Sequence, residues 1–259
     1  MAPNITETVF ALGAGRRVVG VSDYTVFPKE AAELPGVGAL YNPNLEKIVS
    51  LEPDLVIIQQ KHEKVEELCR RRNIAVLRVE MEGSTQKVFD AILALGDALG
   101  KSGRAVMLCH KMQTMLAMLE MHVAGRERVK TLICVDRSAG DLKGVYAPGS
   151  KGFLNDLLLR GGGDNIFSDV NEAYAMVSLE EIVRRAPEVI IETRPGADLS
   201  DAERAAIVDD WNALETVPAV KNGRVVVVTD DSLVVPGPRL AMAAARLARI
   251  LHPEADDDR

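Results

Sequence analysis

Histidine and cysteine are the residues best suited to metal binding and nucleophilic catalysis, and this sequence spaces them too widely for either. They are His62, His110, His122 and His252, and Cys69, Cys109 and Cys134. No two histidines stand at the i, i+4 spacing of an HExxH site. The odd number of cysteines argues against a fully paired disulfide framework. We therefore expect neither an enzyme site nor a bound metal, and we interpret the cysteines as small buried side chains.

Two glutamates occupy matching places in a pattern that the chain contains twice. The first copy reads NPNLEKIVSLEPD and then LVII, with Glu46 in the first turn of a short helix that ends before a proline and a buried strand. The second reads VSLEEIVRRAPEVIIETRPG, with Glu180 in that place, Ser178 as N-cap and Glu181 completing a capping-box pattern. Each glutamate favours the positive end of its helix. Because the pattern is repeated, two exposed carboxylates could also anchor a two-fold partner with basic sockets.

Composition limits the class of protein that must position these residues. The chain has 259 residues, 47% of them apolar and 27% charged, which is enough for two lobes with separate cores. The net charge is -7 and no basic stripe indicates nucleic acid binding. No apolar run of about 18 residues predicts a membrane span. The start, MAPNITETVF, lacks the features of a signal peptide.

Apolar periodicity predicts strands and helices in alternation. The predicted strands are 17–22, 55–58, 75–79, 130–135, 189–192 and 225–228. The predicted helices are 44–50, 62–72, 84–99, 102–123, 152–159, 179–185, 200–214 and 238–251. The helix at 102–123 would be about 30 Å long, more than a βαβ crossover needs. We therefore predict an α/β protein with lobes at 1–101 and 125–259 and a stiff helix at 102–124 between them.

Six segments in order resemble the substrate-binding proteins of ABC importers for cobalamin and iron chelates, the helical-backbone metal receptors among periplasmic binding proteins. They are PNITETVFALGAGRRVVGVSDYTVFPKEA, LPGVG, NPNLEKIVSLEPDLVII, YAPGSKGFLNDLLLRGGGDNIF, VSLEEIVRRAPEVII and WNALETVPAVKNGRVVVV. The resemblance extends from Pro3 to about Leu251. It implies two α/β lobes joined by one long helix, with ligand in the cleft between them. It also implies that Glu46 and Glu180 dock a monomeric receptor on arginines of a dimeric inner-membrane permease.

The start of the chain departs from this family. Its members usually begin with a signal peptide and a strand ahead of the Pro-x-x-Thr-Glu segment, whereas here Met1 stands directly before APNITE. We expect that the start is truncated or misassigned, or that the first strand is absent. A lost strand would expose a sheet edge or leave core positions unfilled. The resemblance implies a periplasmic or other extracytoplasmic location, and a cytoplasmic one if Met1 is the true start.

The resemblance also places ligand contacts in loops at strand and helix ends. All four tyrosines fall in such loops, namely Tyr24, Tyr41, Tyr146 and Tyr174. Their amphipathic rings suit a flat macrocycle with a polar rim. Five polar residues in matching loops are further candidates: Gln59, Gln60, Asp231, Ser232 and Arg239. Arg239 could meet a carboxylate or phosphate of the ligand, or simply lie in the first turn of a helix.

The sequence leaves the identity of the ligand open. The overall resemblance favours cobalamin or another corrinoid, although the only tryptophan, Trp211, lies outside the expected cleft. Haem is the less favoured alternative, because Ala39 stands where a haem receptor would offer an axial tyrosine, and Tyr41 is two residues further on. A ferric siderophore is the close second. An intracellular corrinoid or metal-chelate carrier is the alternative of another class, and GAG at 13–15 and RGGGDN at 160–165 are only weak signals of nucleotide binding.

Overall fold

The protein folds into two compact units, each of the α/β class. The structure is a computed structural model and describes residues 2–253. Unit 1 comprises Met1–Glu82, Gln86–Met112 and Val235–Pro238, and unit 2 comprises Gly83–Thr85, Gln113–Val234 and Arg239–Arg259. The division therefore falls inside one long helix, between Met112 and Gln113, whereas the predicted domains were divided at the two ends of that helix.

Unit 1 is built around two short parallel strands. Its elements, in chain order, are α1 (Pro3–Ala11), a 3-10 helix (Gly15–Arg17), α2 (Lys29–Ala32), α3 (Leu45–Ser50), β1 (Leu55–Ile58), α4 (Glu63–Arg72), β2 (Ala75–Arg78), α5 (Thr85–Ala98) and the first half of α6 (Ser102–Val123). Strands β1 and β2 pair in parallel, from Leu55 opposite Ala75 to Ile58 opposite Arg78. One core cluster joins Ile48 of α3, Val56 and Ile58 of β1, and Val65 and Cys69 of α4.

Unit 2 contains a larger sheet. Its elements after α6 are β3 (Val129–Cys134), β4 (Tyr146–Pro148), α7 (Phe153–Arg160), β5 (Gly163–Asn165), β6 (Tyr174–Met176), α8 (Leu179–Arg185), β7 (Val189–Thr193), α9 (Asp201–Asp210), a 3-10 helix (Trp211–Leu214), α10 (Pro218–Lys221), β8 (Val225–Val228), a 3-10 helix (Asp231–Leu233) and α11 (Leu240–Leu251). Four parallel strands lie in the order β5-β3-β7-β8, and β4 and β6 form an antiparallel ribbon. All five residues of β7 are buried, as expected for a central parallel strand.

Most predicted elements lie within two residues of the observed ones, and 55–58, 102–123, 179–185 and 225–228 agree fully. The predicted helix 200–214 is α9 followed by a 3-10 turn. The RGGGDN segment turns at Gly162, where φ is 84°, but its end also forms β5, which the sequence did not indicate. Helix α1 and the ribbon β4–β6 were likewise not predicted.

The predicted strand at 17–22 is wrong. Among the residues that the structure describes, Val21 alone in this segment makes a ladder contact, an isolated parallel bridge to Gly36. The Val21 amide donates to the Pro35 oxygen at 3.0 Å, and the Val21 oxygen accepts from the Val37 amide at 2.8 Å. Residues 16–21 also line a groove. A strand becomes regular only when a neighbour supplies a hydrogen-bonded ladder along it, and here that support is limited to one bridge.

Candidate functional site

The helix of the first repeated segment presents Glu46 to solvent. The Asn44 side chain accepts a hydrogen bond from the Lys47 amide at 2.9 Å and so caps α3 as predicted. Glu46 is the second residue after this cap and is exposed. The helix ends at Ser50, ahead of Glu52, whose φ of 47° turns the chain, and of Pro53. A short capped helix thus fixes the place of this carboxylate.

The second repeated segment places Glu180 in the same way. The Ser178 hydroxyl oxygen accepts from the Glu181 amide at 3.2 Å, and Glu180 is exposed. The Glu181 carboxylate is held instead by Arg184 and Arg185, so the predicted capping box is wrong. Hydrogen bonds from these two arginines hold the pKa of Glu181 at about 2.

The two glutamates share one further property. Within residues 2–253, neither Glu46 nor Glu180 is engaged in an ion pair or side-chain hydrogen bond, whereas Glu181 beside it is fully engaged. A complete capping box does exist in unit 2, between Ser200 and Glu203 at the start of α9, where the sequence analysis did not place one.

In unit 1, two tied loops present the predicted tyrosines Tyr24 and Tyr41. The Gly38 amide donates to Asp23 Oδ1 at 3.0 Å, and the Asp23 amide donates to the Gly38 oxygen at 3.1 Å. Gly38 has a φ of 91°, and a Cβ there would lie 2.6 Å from the Asn42 oxygen, so only glycine fits. The rings of Tyr24 and Tyr41 are 69% and 81% exposed. Such exposure leaves both rings available to a ligand.

The two predicted glutamines at the end of β1 differ. Gln59 is buried, and its Nε2 donates to Glu82 Oε1 at 2.8 Å, which ties the end of β1 to the segment before α5. Gln60 is exposed. Only Gln60 therefore offers a side chain to solvent.

The prediction that all four tyrosines lie in loops is wrong for the two in unit 2. Tyr146 lies in β4 and Tyr174 in β6, where Tyr146 is opposite Met176 and Pro148 is opposite Tyr174. Directly opposed residues and those two apart share a face of a ribbon, so both tyrosines lie on one face. Tyr146 and Met176 are exposed, while Tyr174 is half-buried. The apolar pair Tyr146–Met176 is the open part of this face.

The three remaining candidates, Asp231, Ser232 and Arg239, lie close to the start of α11. Arg239 Nη1 lies 2.7 Å from Asp231 Oδ1, and both side chains are mostly buried. The Ser232 amide donates to Asp230 Oδ1 at 2.7 Å, and Ser232 is buried. Burial acts to raise the pKa of Asp230, but hydrogen bonds from Ser232 and the nearby Arg246 lower it overall. A ligand anion would have to compete with Asp231 for Arg239.

Sequence reasoning missed a buried ionic cluster in unit 2. The Glu192 carboxylate lies 2.9 Å from Arg137 Nε and 2.5 Å from Arg194 Nη2, and it accepts from Trp211 Nε1 at 2.6 Å. Glu192 and Trp211 are fully buried. Burial, with the Glu192 charge nearby, raises the pKa of the Cys134 thiol to about 12. The one signal was a glutamate that follows three apolar residues inside the strand VIIET.

All three cysteines are free and buried, which confirms the sequence interpretation. Across residues 2–253 the structure contains no group of three or more histidine, cysteine, aspartate or glutamate side chains that could hold a metal ion. In the same range, none of the helices combines the length and the apolar character that crossing a membrane requires.

The comparisons with known proteins identify the family. A family model described as periplasmic binding protein matches residues 1–232. The chain belongs to this family. Its named relatives are distant. An uncharacterized substrate-binding lipoprotein of an ABC transporter from Bacillus subtilis is 28% identical, and the match covers 98% of this chain and 79% of the relative. The vitamin B12-binding protein of Vibrio parahaemolyticus is 26% identical over 92% and 83%.

A cobalamin-binding protein of Halobacterium salinarum is 27% identical over 96% of this periplasmic binding protein and 68% of its own length. Among solved structures, the periplasmic vitamin B12-binding protein of Vibrio cholerae has a TM-score of 0.79 with 24% identity, over 100% of this chain and 96% of its own. A periplasmic heme-binding protein of the same organism has a TM-score of 0.85 with 21% identity, over 97% and 96%. These likenesses confirm the predicted α/β fold of a class III periplasmic binding protein. The assignments of individual site residues remain predictions.

Proposed function

We propose that this periplasmic binding protein is the substrate-binding component of an ABC importer, and that it carries cobalamin or a related corrinoid to the permease. The choice of cobalamin as the ligand rests on one observation. Over more than nine-tenths of its length, the chain is similar to relatives named for vitamin B12 or cobalamin. Its task is binding and release, with no chemical step.

The exposed aromatic side chains support a flat, amphipathic ligand. In unit 1, Tyr24 and Tyr41 project from tied loops. In unit 2, Tyr146 and Met176 are opposed on the open face of the ribbon. A tyrosine ring can pack on the face of a macrocycle while its hydroxyl reaches the polar rim. Gln60 and the polar group formed by Asp231, Ser232 and Arg239 would supply further contacts.

A ferric siderophore or haem is the second candidate cargo. The observation that favours haem is the high structural similarity to a heme-binding protein, together with the exposure of Tyr41 in the loop where that family offers an axial tyrosine. An intracellular corrinoid or chelate carrier is the candidate of another class. Fractionation of cells separates it from a receptor that acts outside the cytoplasmic membrane, which is the location we propose.

Titration of the purified protein with cyanocobalamin, ferric siderophores and haemin tests the cargo. We expect tight 1:1 binding of cobalamin, measured by the change in absorbance of the ligand. Tyr24→Ala and Tyr146→Ala should each weaken binding about tenfold or more, because each removes a ring that would stack on the ligand, whereas Tyr24→Phe should keep most of the affinity. Binding of a ferric chelate alone would transfer the proposal to that cargo, and binding of none of the three would contradict it.

The exposed glutamates Glu46 and Glu180 support docking of a monomer on a dimeric permease. Each is the second residue after a helix cap, and neither is engaged by the described part of its own chain. Like positions on two repeated helices suit the repeated arginine sockets of a two-fold partner. Partner contact would then open the receptor and release the ligand.

The variant Glu46→Ala/Glu180→Ala tests docking. It should keep the affinity for ligand and reduce uptake in cells or in permease vesicles. Single variants should have small effects, because one exposed ion pair contributes about 0.2–1 kcal/mol. The matched control is Glu33→Ala/Glu215→Ala, which removes one exposed glutamate from each unit outside α3 and α8. Normal uptake by the first double variant, or equal loss in the control, would show that the docking assignment is wrong.

A further inference from the structure

The second half of α6 carries an unusual set of exposed side chains. Between residues 113 and 123, which belong to unit 2, Leu116 is the buried apolar residue, with 2% exposure. The exposed large apolar residues of this stretch are all methionines: Met115, Met118 and Met121 are 36%, 65% and 78% exposed. Methionine is among the residue types most often fully buried. Three exposed methionines within two turns therefore indicate a role other than core packing.

These methionines share one face of the helix with a histidine. Met118 follows Met115 by three residues, and Met121 and His122 follow Met118 by three and four residues. Residues at these spacings are neighbours on a helix surface, with about 5–6 Å between their Cβ atoms. We call Met115, Met118, Met121 and His122 the Met/His patch. The sequence expectation of no bound metal rested on histidines and cysteines and did not include these thioethers.

Helix geometry allows the donor atoms of the Met/His patch to converge. Side chains on a helix lean toward its N-terminus, so those of Met121 and His122 extend over the turn that carries Met118. A methionine side chain has three rotatable bonds, which let its sulfur approach a neighbouring donor. His122 is exposed, and across residues 2–253 its ring makes no hydrogen bond or ion pair. Its ring nitrogens are therefore accessible to a ligand.

The patch also lies at the end of the helix that favours positive charge. Helix α6 ends at Val123, so Met121 and His122 stand in its last turn. The carbonyl groups of the last turn give this end of a helix a partial negative charge, which stabilises a nearby cation. Glu120 in the same turn is paired with Arg160 and is not available as a ligand. A cation at the patch would thus meet neutral side-chain donors and a favourable helix end.

We propose that the Met/His patch is a binding site for the soft cation Cu(I). Thioether sulfur selects Cu(I) among the common metals of proteins, and imidazole is also a copper ligand. The four side chains include no carboxylate, so they suit Mg²⁺ and Ca²⁺, which take oxygen ligands, poorly. Thioether and neutral imidazole carry no charge, so the bound ion keeps its positive charge at the helix end that stabilises it. Binding is reversible and involves no electron transfer.

An apolar docking face explains the patch less well. Methionine is common on surfaces that bind several partners. Lys111 and Thr114, however, precede the patch on the same face and are exposed, and the patch itself ends in His122. The apolar part is therefore shorter than two turns of helix. A docking face would keep its apolar area if leucine replaced methionine, whereas a metal site would lose its donors, so one substitution separates the two.

The test is a titration of the full chain, isotope-labelled at the methionine methyl groups, with silver nitrate in chloride-free buffer. Ag(I) is a soft substitute for Cu(I) that is stable in air. We expect one equivalent to shift the NMR signals of the Met118 and Met121 methyl groups and of the His122 ring. Met242 is the internal control, because it is 59% exposed on α11. The residues three and four positions from it offer no thioether or imidazole: they are Pro238, Arg239, Ala245 and Arg246.

A matched pair of variants measures the contribution of the sulfurs. Met118→Leu/Met121→Leu keeps the apolar size of both side chains and removes two thioethers. It should bind Ag(I) at least about tenfold more weakly. The same loss should appear for Cu(I) in anaerobic competition with the chelator bicinchoninate. Met242→Leu should bind both ions as tightly as the parent protein.

Three outcomes would overturn the proposal. Equal shifts at Met242 and at the Met/His patch would show that silver contacts any exposed thioether. Uptake of silver without a change at the patch signals would assign the metal to a cysteine thiol. Unchanged affinity in the double leucine variant would show that the sulfurs are not ligands and leave an apolar docking face. The titration contains no cobalamin, so its result is independent of the proposed function.

Discussion

The strands that follow the two repeated helices, β1 and β7, begin from almost the same sequence and reach different environments. Both follow a proline and an acidic residue, and LVIIQQ in one stands beside VIIETR in the other. Within residues 2–253, strand β1 has one strand neighbour and is buried at alternate residues, whereas β7 has two and is buried throughout. Local sequence therefore determines that a strand forms, and the neighbours that the rest of the chain supplies determine how deeply it is buried.

The last matched position shows the largest difference. Ile58 is an apolar member of the unit 1 core, and the matching Glu192 is a fully buried carboxylate held by Arg137 and Trp211. A central strand can bury a charge because flanking segments deliver partners to both of its sides. Strand β1, which has one strand neighbour within residues 2–253, ends on Ile58, an apolar side chain that needs no charged partner.

The largest effect should come from Glu192. Glu192→Ala would leave the Arg137 guanidinium buried beside Trp211 with only Asp210 to balance its charge. We expect a loss of about 3–5 kcal/mol in the free energy of unfolding, measured in urea. The matched Ile58→Ala should lose about 2–5 kcal/mol through its cavity alone. A loss below about 1 kcal/mol for Glu192→Ala would show that the cluster is not a structural support.

The matched isoleucines Ile191 and Ile57 give the next effect. Ile191→Ala should cost about 2–5 kcal/mol, because Ile191 is fully buried in β7. Ile57→Ala should cost clearly less, because Ile57 is half-buried at the groove. Denaturant unfolding of both variants measures the difference. Equal costs would contradict the distinction between the two strands.

The helix caps should behave alike in the two segments. Asn44→Ala and Ser178→Ala each remove one side-chain acceptor from a helix amide, at 2.9 and 3.2 Å. We expect a loss of about 1 kcal/mol in each case, from thermal unfolding. Ser200→Ala, which breaks a two-way capping box, is the control and should cost at least as much. A cap variant without effect would show that its helix end is held by packing alone.

The smallest effect is a pH dependence that only the second segment should have. The pKa of Glu181 falls from its ordinary 4.5 to about 2, so its pairing with Arg184 and Arg185 stabilises the folded state fully above 4.5. That contribution is lost as pH falls toward 2. The matched residue in α3 is Lys47, which is not a carboxylic acid. Carboxyl titration by NMR should find Glu181 well below its ordinary value, and Glu181→Gln should flatten the acid side of the stability curve slightly. A Glu181 pKa near 4.5 would contradict the pairing.

The elements that the sequence predicted well are those whose signals are local. Strand β1, α6 and α8 have caps, prolines or long apolar periodicity within their own bounds. The strand predicted at 17–22 fails because a ladder depends on a neighbour. Strands β4 and β6 are three residues each, too short for alternation to be visible, so Tyr146 and Tyr174 were assigned to loops.

The candidate site was predictable in its residue types and less so in its contacts. Exposure of Tyr24 and Tyr41 follows from their loops. The pairing of Arg239 with Asp231 and of Gln59 with Glu82 depends on tertiary structure that no spacing indicates. The same holds for Glu192 and Arg137, which are far apart in the chain.

The burial of the only tryptophan beside the Glu192 carboxylate has an optical consequence. Trp211 belongs to unit 2, so its fluorescence reports the unfolding of unit 2 and does not report the unfolding of unit 1. Tyrosine absorbance from Tyr24 and Tyr41 lies in unit 1 and is already solvent-like in the folded state. A fluorescence melt would therefore report the unfolding of unit 2, and amide exchange would be needed to observe the unfolding of unit 1, which contains β1.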